Sequence, residues 1–398
     1  MSGTCVAHVV IGTKTAKHRL ILAGGGHAQL SVLHALAKEK TDAEAVLVTP
    51  SPYLIYSGML SGWMAGHYCL DECRIDLRPL AEAAGVRLAI GQIVGIDAEQ
   101  KCVALADGAH LDYDRLSIDV GSETDSSMLQ AASSRLLPIR PLEEFVQRWP
   151  DVVAAATRQD DYRLAVVGGG AAGVELAFAA QHAFVNAGCK RASVALVASA
   201  SGILPDHASG VRRRAAMLLR QRGIALYQAQ AAGSAEGVAL SGGHILPADC
   251  VIAATGARAP AWLRQTGLAL DERGYILVDA HHRSVSHPDV FAAGDACSRA
   301  DTRMARSGVH AVFAGPVLAH NLLASLCGRK LKSYHPRRRS LYLLTTGPQH
   351  AIASWGTFSA QGQWVWRWKS WIDRRFMQKH GTPAHAPDGC KPSAGTMN

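Results

Sequence analysis

Three observations predict an α/β protein built from two βαβ units, one inserted in the other, with a C-terminal α/β extension. First, a strand–glycine turn–helix–strand pattern occurs twice, with Gly24 and Gly168 standing 144 positions apart. Second, each unit closes on a short apolar run that ends in glycine. Third, the chain has 398 residues, 48% apolar and only 18% charged. That length and composition suit two or three globular domains whose cores need no metal or disulfide scaffold.

The first unit starts with the apolar run Arg19 to Ala23. The turn Gly24-Gly25-Gly26-His27-Ala28 follows, then a helical pattern to about Lys40 and a second strand at Ala45 to Val48. Gly24 permits a tight turn, and Gly26 lets the backbone approach a pyrophosphate held on the helix N-terminus. The third glycine of the G-x-G-x-x-G pattern is replaced by Gln29. The second unit is complete: strand Arg163 to Val167, then Gly168, Gly170 and Gly173 with Glu175, a helix to about Ala187 and strand Ser193 to Val197. A full fingerprint between a strand and a helix is the context that identifies a dinucleotide turn. The blocks ending at Gly121, Gly256 and Gly294-Asp295 continue the pattern, and a helix is expected from Ser307-Gly308-Val309 through Leu323.

The net charge of +9 is uneven. Eleven basic residues fall between Arg329 and Lys379, opposed only by Asp373. Such a segment suits an anionic surface. No nucleic-acid reader fold is recognisable, so no nucleic-acid partner is expected. The stretch 364–380 reads as a helix carrying four of the eight Trp. Trp364, Trp368, Trp371 and Ile372 share an arc of about 100° at helical spacing. Indoles and basic groups together suit an interfacial membrane helix. The alternative is a helix that packs its Trp face on the protein. No apolar run of membrane length is read. Residues 1–18 read as a flexible tail rather than a secretory signal. Nine Cys show no zinc spacing, so no metal is expected, and a reducing, cytoplasmic compartment is. With the helix, this places the protein in the cytoplasm or peripherally on the inner face of the cytoplasmic membrane. The oligomeric state is left open.

Together these segments resemble the two-dinucleotide flavoproteins, the pyridine nucleotide-disulfide oxidoreductase fold, over roughly Arg19 to Trp355. The A-T-G-x-x-x-P block at Ala254 to Pro260 and the V-F-A-x-G-D block at Val290 to Asp295 carry the resemblance. It implies two Rossmann-like domains: an FAD domain at 19–144 and 262–328, an inserted NAD(P)H domain at 145–261, and an extension at 329–398. FAD would then meet Gly24, Gly26, His27, Ala28, Thr49, Gly121, Gly294 and Asp295, with Asp295 on the ribityl chain. The helix N-terminus at Gly308 and Val309 would stabilise reduced flavin through its dipole. NAD(P)H would meet Gly168, Gly170, Gly173, Glu175 and Gly256. The flavin carries the redox chemistry, and no catalytic side chain is required. His27 could bond the flavin phosphate or ribityl chain, or be an ordinary turn residue. Tyr53, Tyr56, Ser57 and Met59 would lie beside the flavin.

No C-x4-C pair follows the first turn, so a dithiol relay is not expected. Cys69 and Cys73 could form a redox pair by spacing, and Cys297 follows Asp295, but structural roles fit all three. The chain resembles type II NADH dehydrogenases, which reduce a quinone. It resembles more closely the subgroup fused ahead of selenide, water dikinase, on Ile21 to Ala28, Pro52 to Leu60, Gly62 to His67, Asp71 to Arg78 and Ala353 to Gly356. The expected activity is hydride transfer from NAD(P)H to FAD, then electron transfer to a quinone-like acceptor. Rival readings are flavin-dependent oxidation of a sulfur or selenium compound and a non-catalytic nucleotide-binding role. Thr49 and Ala198 stand where an acidic residue commonly grips a ribose hydroxyl. No Arg follows Ala198, and Arg212 to Arg214 read as a solvated helix face, so NADH and NADPH remain equal candidates. The Asp119-Val120-Gly121 block, where A-T-G is usual, bears on FAD geometry.

Overall fold

The structure is a computed structural model and describes residues 18–302, 304, 308–336 and 340–381. Most of the expected tail, Ser307, the basic run 337–339 and everything beyond 381 lie outside the described residues. The chain forms two compact units. The first comprises the described residues of Met1–Leu54, Ile75–Ser122 and Arg258–Arg337; the second those of Ile55–Arg74, Glu123–Ala257 and Arg338–Asn398.

In the first unit, five parallel strands lie in the order Val290–Ala292, Arg115–Ile118, His18–Ala23, Ala43–Thr49, Arg87–Ile90. Four of these runs are short and mostly aliphatic and are buried along most of their length, as parallel strands require, while Arg87–Ile90 at one edge is exposed at both ends. The helix His27–Lys38 connects the first two in sequence. The helix Gly308–Leu326 packs along it. Gly315 permits the approach, since a Cβ there would lie 2.6 Å from the Ser31 hydroxyl oxygen. This second helix has the length and composition to cross a membrane, where the sequence suggests no such run. In the fold it buries His310, Asn321 and most of its aliphatic residues. An antiparallel meander, Ile93–Asp97, Cys102–Leu105 and His110–Asp112, precedes the closing strand.

The second unit repeats this plan. Its parallel sheet runs Leu136–Pro138, Cys250–Ala253, Arg163–Val167, Ser193–Ala198, Ala225–Gln228. Its meander is Ala231–Ser234, Gly237–Leu240 and Ile245–Pro247. The repeat therefore extends beyond the glycine turns to the whole topology.

The division differs from the expected domain bounds. Residues 55–74 and 123–144 belong with the second unit, as does most of the extension. The cause is burial. Leu60, Met64 and Ala65 enter the same core as Phe178, Phe184, Leu344 and Ile352. The extension adds an antiparallel sheet, Tyr342–Thr345, Ala351–Trp355 and Phe358–Gly362, and the helix Gln363–His380.

Asn321 is fully buried in the first unit. Its amide donates to the carbonyls of His281 and Lys332 at 2.8 Å each and accepts from the Lys332 N–H at 2.7 Å. An Asn321→Leu variant should lose about 3 kcal/mol or more, because it strands buried backbone groups. Denaturant unfolding would measure the loss, and hydrogen exchange should show the Lys332 amide opening first.

Candidate functional site

The two glycine turns are held alike. Gly24 N–H donates to Val48 O and Gly168 N–H to Val197 O, both at 2.8 Å. At the closing strands, Asp119 N–H donates to Ala23 O and Ala254 N–H to Val167 O, again at 2.8 Å. These matching bonds make Asp119 the counterpart of Ala254 and Gln29 the counterpart of Gly173.

In the second unit the turn is tight and its ligand side is open. Gly168 has φ +136°, and a Cβ there would sit 2.1 Å from Ala254 O. A Cβ on Gly173 would sit 1.9 Å from Gly168 O. Around Gly170 and Gly256, by contrast, a Cβ would meet nothing within 4 Å. Gly256 needs glycine for its φ of +117°, but Gly170 is in extended backbone and answers no internal neighbour, which fits a ligand approaching there. Gly170 also caps the helix Ala171–Asn186, whose free N–H groups and dipole favour a phosphate. Ala198 ends the second strand, buried and without a carboxylate, followed by the Ser199 and Ser201 hydroxyls 2.8 Å apart.

In the first unit the equivalent space is filled. The Asp119 carboxylate, almost wholly buried, accepts from the N–H groups of Ala28 at 2.8 Å and Gln29 at 3.3 Å. A Cβ on Gly26 would fall 2.3 to 2.5 Å from its three carboxyl atoms, and one on Gly294 2.4 Å from Oδ1. Gln29 lies buried on the same floor. Its amide donates to Ser117 O at 3.0 Å, and the Ser117 hydroxyl donates back to Gln29 Oε1 at 3.2 Å. Burial pushes the Asp119 pKa up to about 7, against the two backbone N–H bonds and with Asp295 adding to the rise.

Around this carboxylate stand most of the residues singled out for FAD. His27 and Ala28 open the first helix. Thr49 ends the second strand, buried beneath the turn, its hydroxyl oxygen 3.1 Å from where a Gly25 Cβ would be. Gly294 and Asp295 form a short turn after the last strand. Gly308 and Val309 start the Gly308–Leu326 helix, and their neighbour His310 is buried with Nδ1 lacking a partner. Burial lowers the His310 pKa, with Asp295 opposing. Gly121, at φ +72°, opens on empty space. A buried ring nitrogen with no partner, and two helix starts converging on Gly294, fit a group bearing both phosphate and polar ring atoms, as FAD does.

Glu175 takes another role. It faces the extension, accepting from Thr345 N–H at 2.8 Å, the Thr345 hydroxyl at 2.9 Å and the Ser61 hydroxyl at 3.3 Å. Nearby, buried Lys369 donates to Gly58 O at 2.6 Å and Asp373 at 2.7 Å. Tyr56 donates to Asp373 at 3.3 Å and stacks on Phe376. Burial raises the pKa of Glu175 and of Asp373, and Lys369 opposes both rises. Burial works against the Lys369 charge, but Asp373 and Glu175 outweigh it. One ammonium thus serves two buried carboxyls, and the cluster holds a proton more readily than ordinary carboxylates would. Tyr56, Ser57 and Met59, expected beside the flavin, pack in this unit. The sequence reading missed Lys369 and Asp373 as a pair. Their i,i+4 spacing was visible, but they sit among Trp and Arg that read as a surface.

Cys73 carries a free, buried thiol, raised in pKa by burial, and so does not form the pair with Cys69 that the spacing allows. Cys297 is also buried, its thiol directed at Gly294 O at 3.7 Å. Among the described residues no His, Cys, Asp and Glu cluster could hold a metal.

Two glycine turns on two repeated βαβ units define a two-dinucleotide oxidoreductase. Residues 18–315 match the family profile of the pyridine nucleotide-disulphide oxidoreductases, and the chain belongs to that family. It is an FAD- and pyridine nucleotide-dependent enzyme. An NADH dehydrogenase-like protein of Mycobacterium tuberculosis is 27% identical over 301 residues, 71% of this chain and 74% of that protein. Ferroptosis suppressor protein 1 of Taeniopygia guttata is 25% identical over 277 residues, 66% of this chain and 69% of that protein. The structure of NDH2 from Plasmodium falciparum in complex with NADH has the same fold, with a TM-score of 0.76 at 13% identity, covering 92% of this chain and 99% of that one.

One closed and one open glycine of the second turn separate folding from binding. Gly173→Ala should unfold the second unit, because backbone cannot move aside for a Cβ at 1.9 Å. Gly170→Ala should fold normally and weaken NAD(P)H binding tenfold or more. Circular dichroism and nucleotide titration of the two variants check this.

Proposed function

We propose that this enzyme oxidises NAD(P)H and passes the electrons to a quinone-like acceptor at an anionic membrane surface. The helix Gln363–His380 carries the reading, because its amphipathicity is reversed. Toward the protein it buries Val365, Lys369, Ser370, Asp373 and His380. Toward solvent it shows Trp364, Trp368 and Trp371, the last two flanked by Arg367, Arg374 and Arg375. Trp355 and Phe358, exposed at a hairpin end, add to the aromatic surface. Exposed indoles beside basic groups suit the headgroup region of anionic lipid, where quinones are found.

The first glycine turn and the Gly294-Asp295 turn would hold FAD, whose flavin would supply the hydride and electron chemistry between NAD(P)H and the acceptor. The chain supplies the surroundings. The Gly168–Gly170 turn positions the nicotinamide nucleotide through its phosphates. The start of the Gly308–Leu326 helix directs its positive end at developing negative charge. A quinone takes up two protons with its two electrons. The Glu175–Lys369–Asp373–Tyr56 cluster is a buried store that holds a proton more readily than exposed carboxylates do. With Ala198 in place of an acid, nothing at the second strand rejects a 2′-phosphate, so NADPH as well as NADH suits the site.

The purified protein, mixed without oxygen with NADH or NADPH, should lose its flavin absorbance within seconds with at least one of them. A short-chain quinone should then restore it. Bleaching without reoxidation by any quinone would remove the quinone reading and leave the dehydrogenase. In a separate assay the protein should float with phosphatidylglycerol vesicles and not with neutral phosphatidylcholine. Trp368→Ser with Trp371→Ser should cut flotation several-fold while the flavin still bleaches. Equal flotation of the double variant would sink the membrane surface.

A further inference from the structure

We propose that Asp119 is an affinity-determining residue for FAD that must carry a proton when the dinucleotide binds. The proposal rests on FAD occupying the first glycine turn. It comes from comparing the two turns. In the second unit the space between Gly170 and Ala254 is open, and the anion meets helix N–H groups alone. In the first unit a carboxyl group occupies that space, bonded to Ala28 and Gln29 N–H and pressed against Gly26 and Gly294. A pyrophosphate drawn to the same helix start would come up against this carboxyl group.

Its charge state decides the outcome. Ionised, Asp119 already satisfies two of the helix N–H groups and repels a dianion in a site with little water to screen them. Protonated on Oδ1, it still accepts both backbone N–H groups on Oδ2 and offers its O–H to a phosphate oxygen. The neighbours set where the change falls. Asp295 acts on it from the turn after Gly294, and His27 and His310 stand at the starts of the two helices of this unit. Asp295 raises its pKa. Burial is the main cause, and the carboxyl titrates near pH 7 before any phosphate arrives. A bound phosphate raises it further, so FAD binding takes up a proton.

The sign follows from linkage. Below about pH 7 Asp119 is protonated in both the free and bound protein, and FAD affinity is flat. Above it the free protein must gain a proton to bind, so the dissociation constant rises with pH, up to about tenfold per unit. The Gln29 substitution belongs to the same device. Gln29 and Ser117 close the floor beneath the carboxyl and keep water from screening it.

The test is titration of the flavin-stripped full chain with FAD, followed by flavin fluorescence at pH 6 to 9. The wild type should bind at least tenfold more weakly at pH 9 than at pH 6. Asp119→Asn, whose amide accepts from the helix and donates to phosphate at every pH, should bind with a flat profile and more tightly than wild type at pH 9. His27→Gln and His310→Gln should keep the wild-type slope. Because a variant can misfold, the wild type is also titrated by calorimetry at pH 8 in two buffers of different ionisation enthalpy, where about one proton should be taken up. A flat wild-type profile with no proton uptake overturns the proposal and leaves the FAD site intact. So does a slope that persists in Asp119→Asn or vanishes in a histidine variant. Failure of FAD to bind at any pH overturns the proposal together with the cofactor reading on which it rests.

Discussion

No side chain fits between the glycine turn and the end of the closing strand. In the first unit a Cβ on Gly24 would lie 2.5 Å from Asp119 O, and in the second a Cβ on Gly168 would lie 2.1 Å from Ala254 O. This close approach places the helix start over the sheet's carboxyl edge, where free N–H groups and the helix dipole meet a phosphate. The parallel order of both sheets, the burial of their strands and the direction of both helices serve the same contact. The meanders and the extension are arranged around it.

Much of this was legible in the chain. The turns, their flanking strands and the helix that begins at Gly308 stand out because glycine spacing and apolar runs are local signals. The domain bounds were less legible, because burial by distant partners decides them. Residues 55–74 follow the first unit in sequence, yet Leu60 and Met64 are apolar positions filled by the second unit's core. The helix 363–380 was legible as Trp-rich and basic, and the arc of Trp364, Trp368 and Trp371 is the exposed one. Which way that arc faces could not be read, since a Trp stripe usually turns inward. The inner face is polar only because Lys369 and Asp373 satisfy each other there.

That ion pair ties function to folding. Lys369 pairs with Asp373 and acts on Glu175 through its charge, so removing it would leave two buried carboxyls without a compensating cation, which is costly in a buried site. Asp373 in turn holds Tyr56, and Glu175 holds Thr345. Three separated stretches of chain, near 56–61, 175 and 345–373, are thus joined by polar contacts in a core that is otherwise aliphatic.

Gln29 and Asp119 constrain one another's history. A glycine at 29 would take away the amide that closes the floor, leaving the carboxyl with water beside it. An alanine at 119 would leave the Ala28 N–H without its carboxylate acceptor. Either change alone creates an unsatisfied buried group, whereas both together restore the open arrangement of the second unit. Substitutions at these two positions should therefore be strongly non-additive. A lineage could pass from one turn type to the other only through a poorer intermediate, so the two halves of the repeat, once diverged here, are held apart.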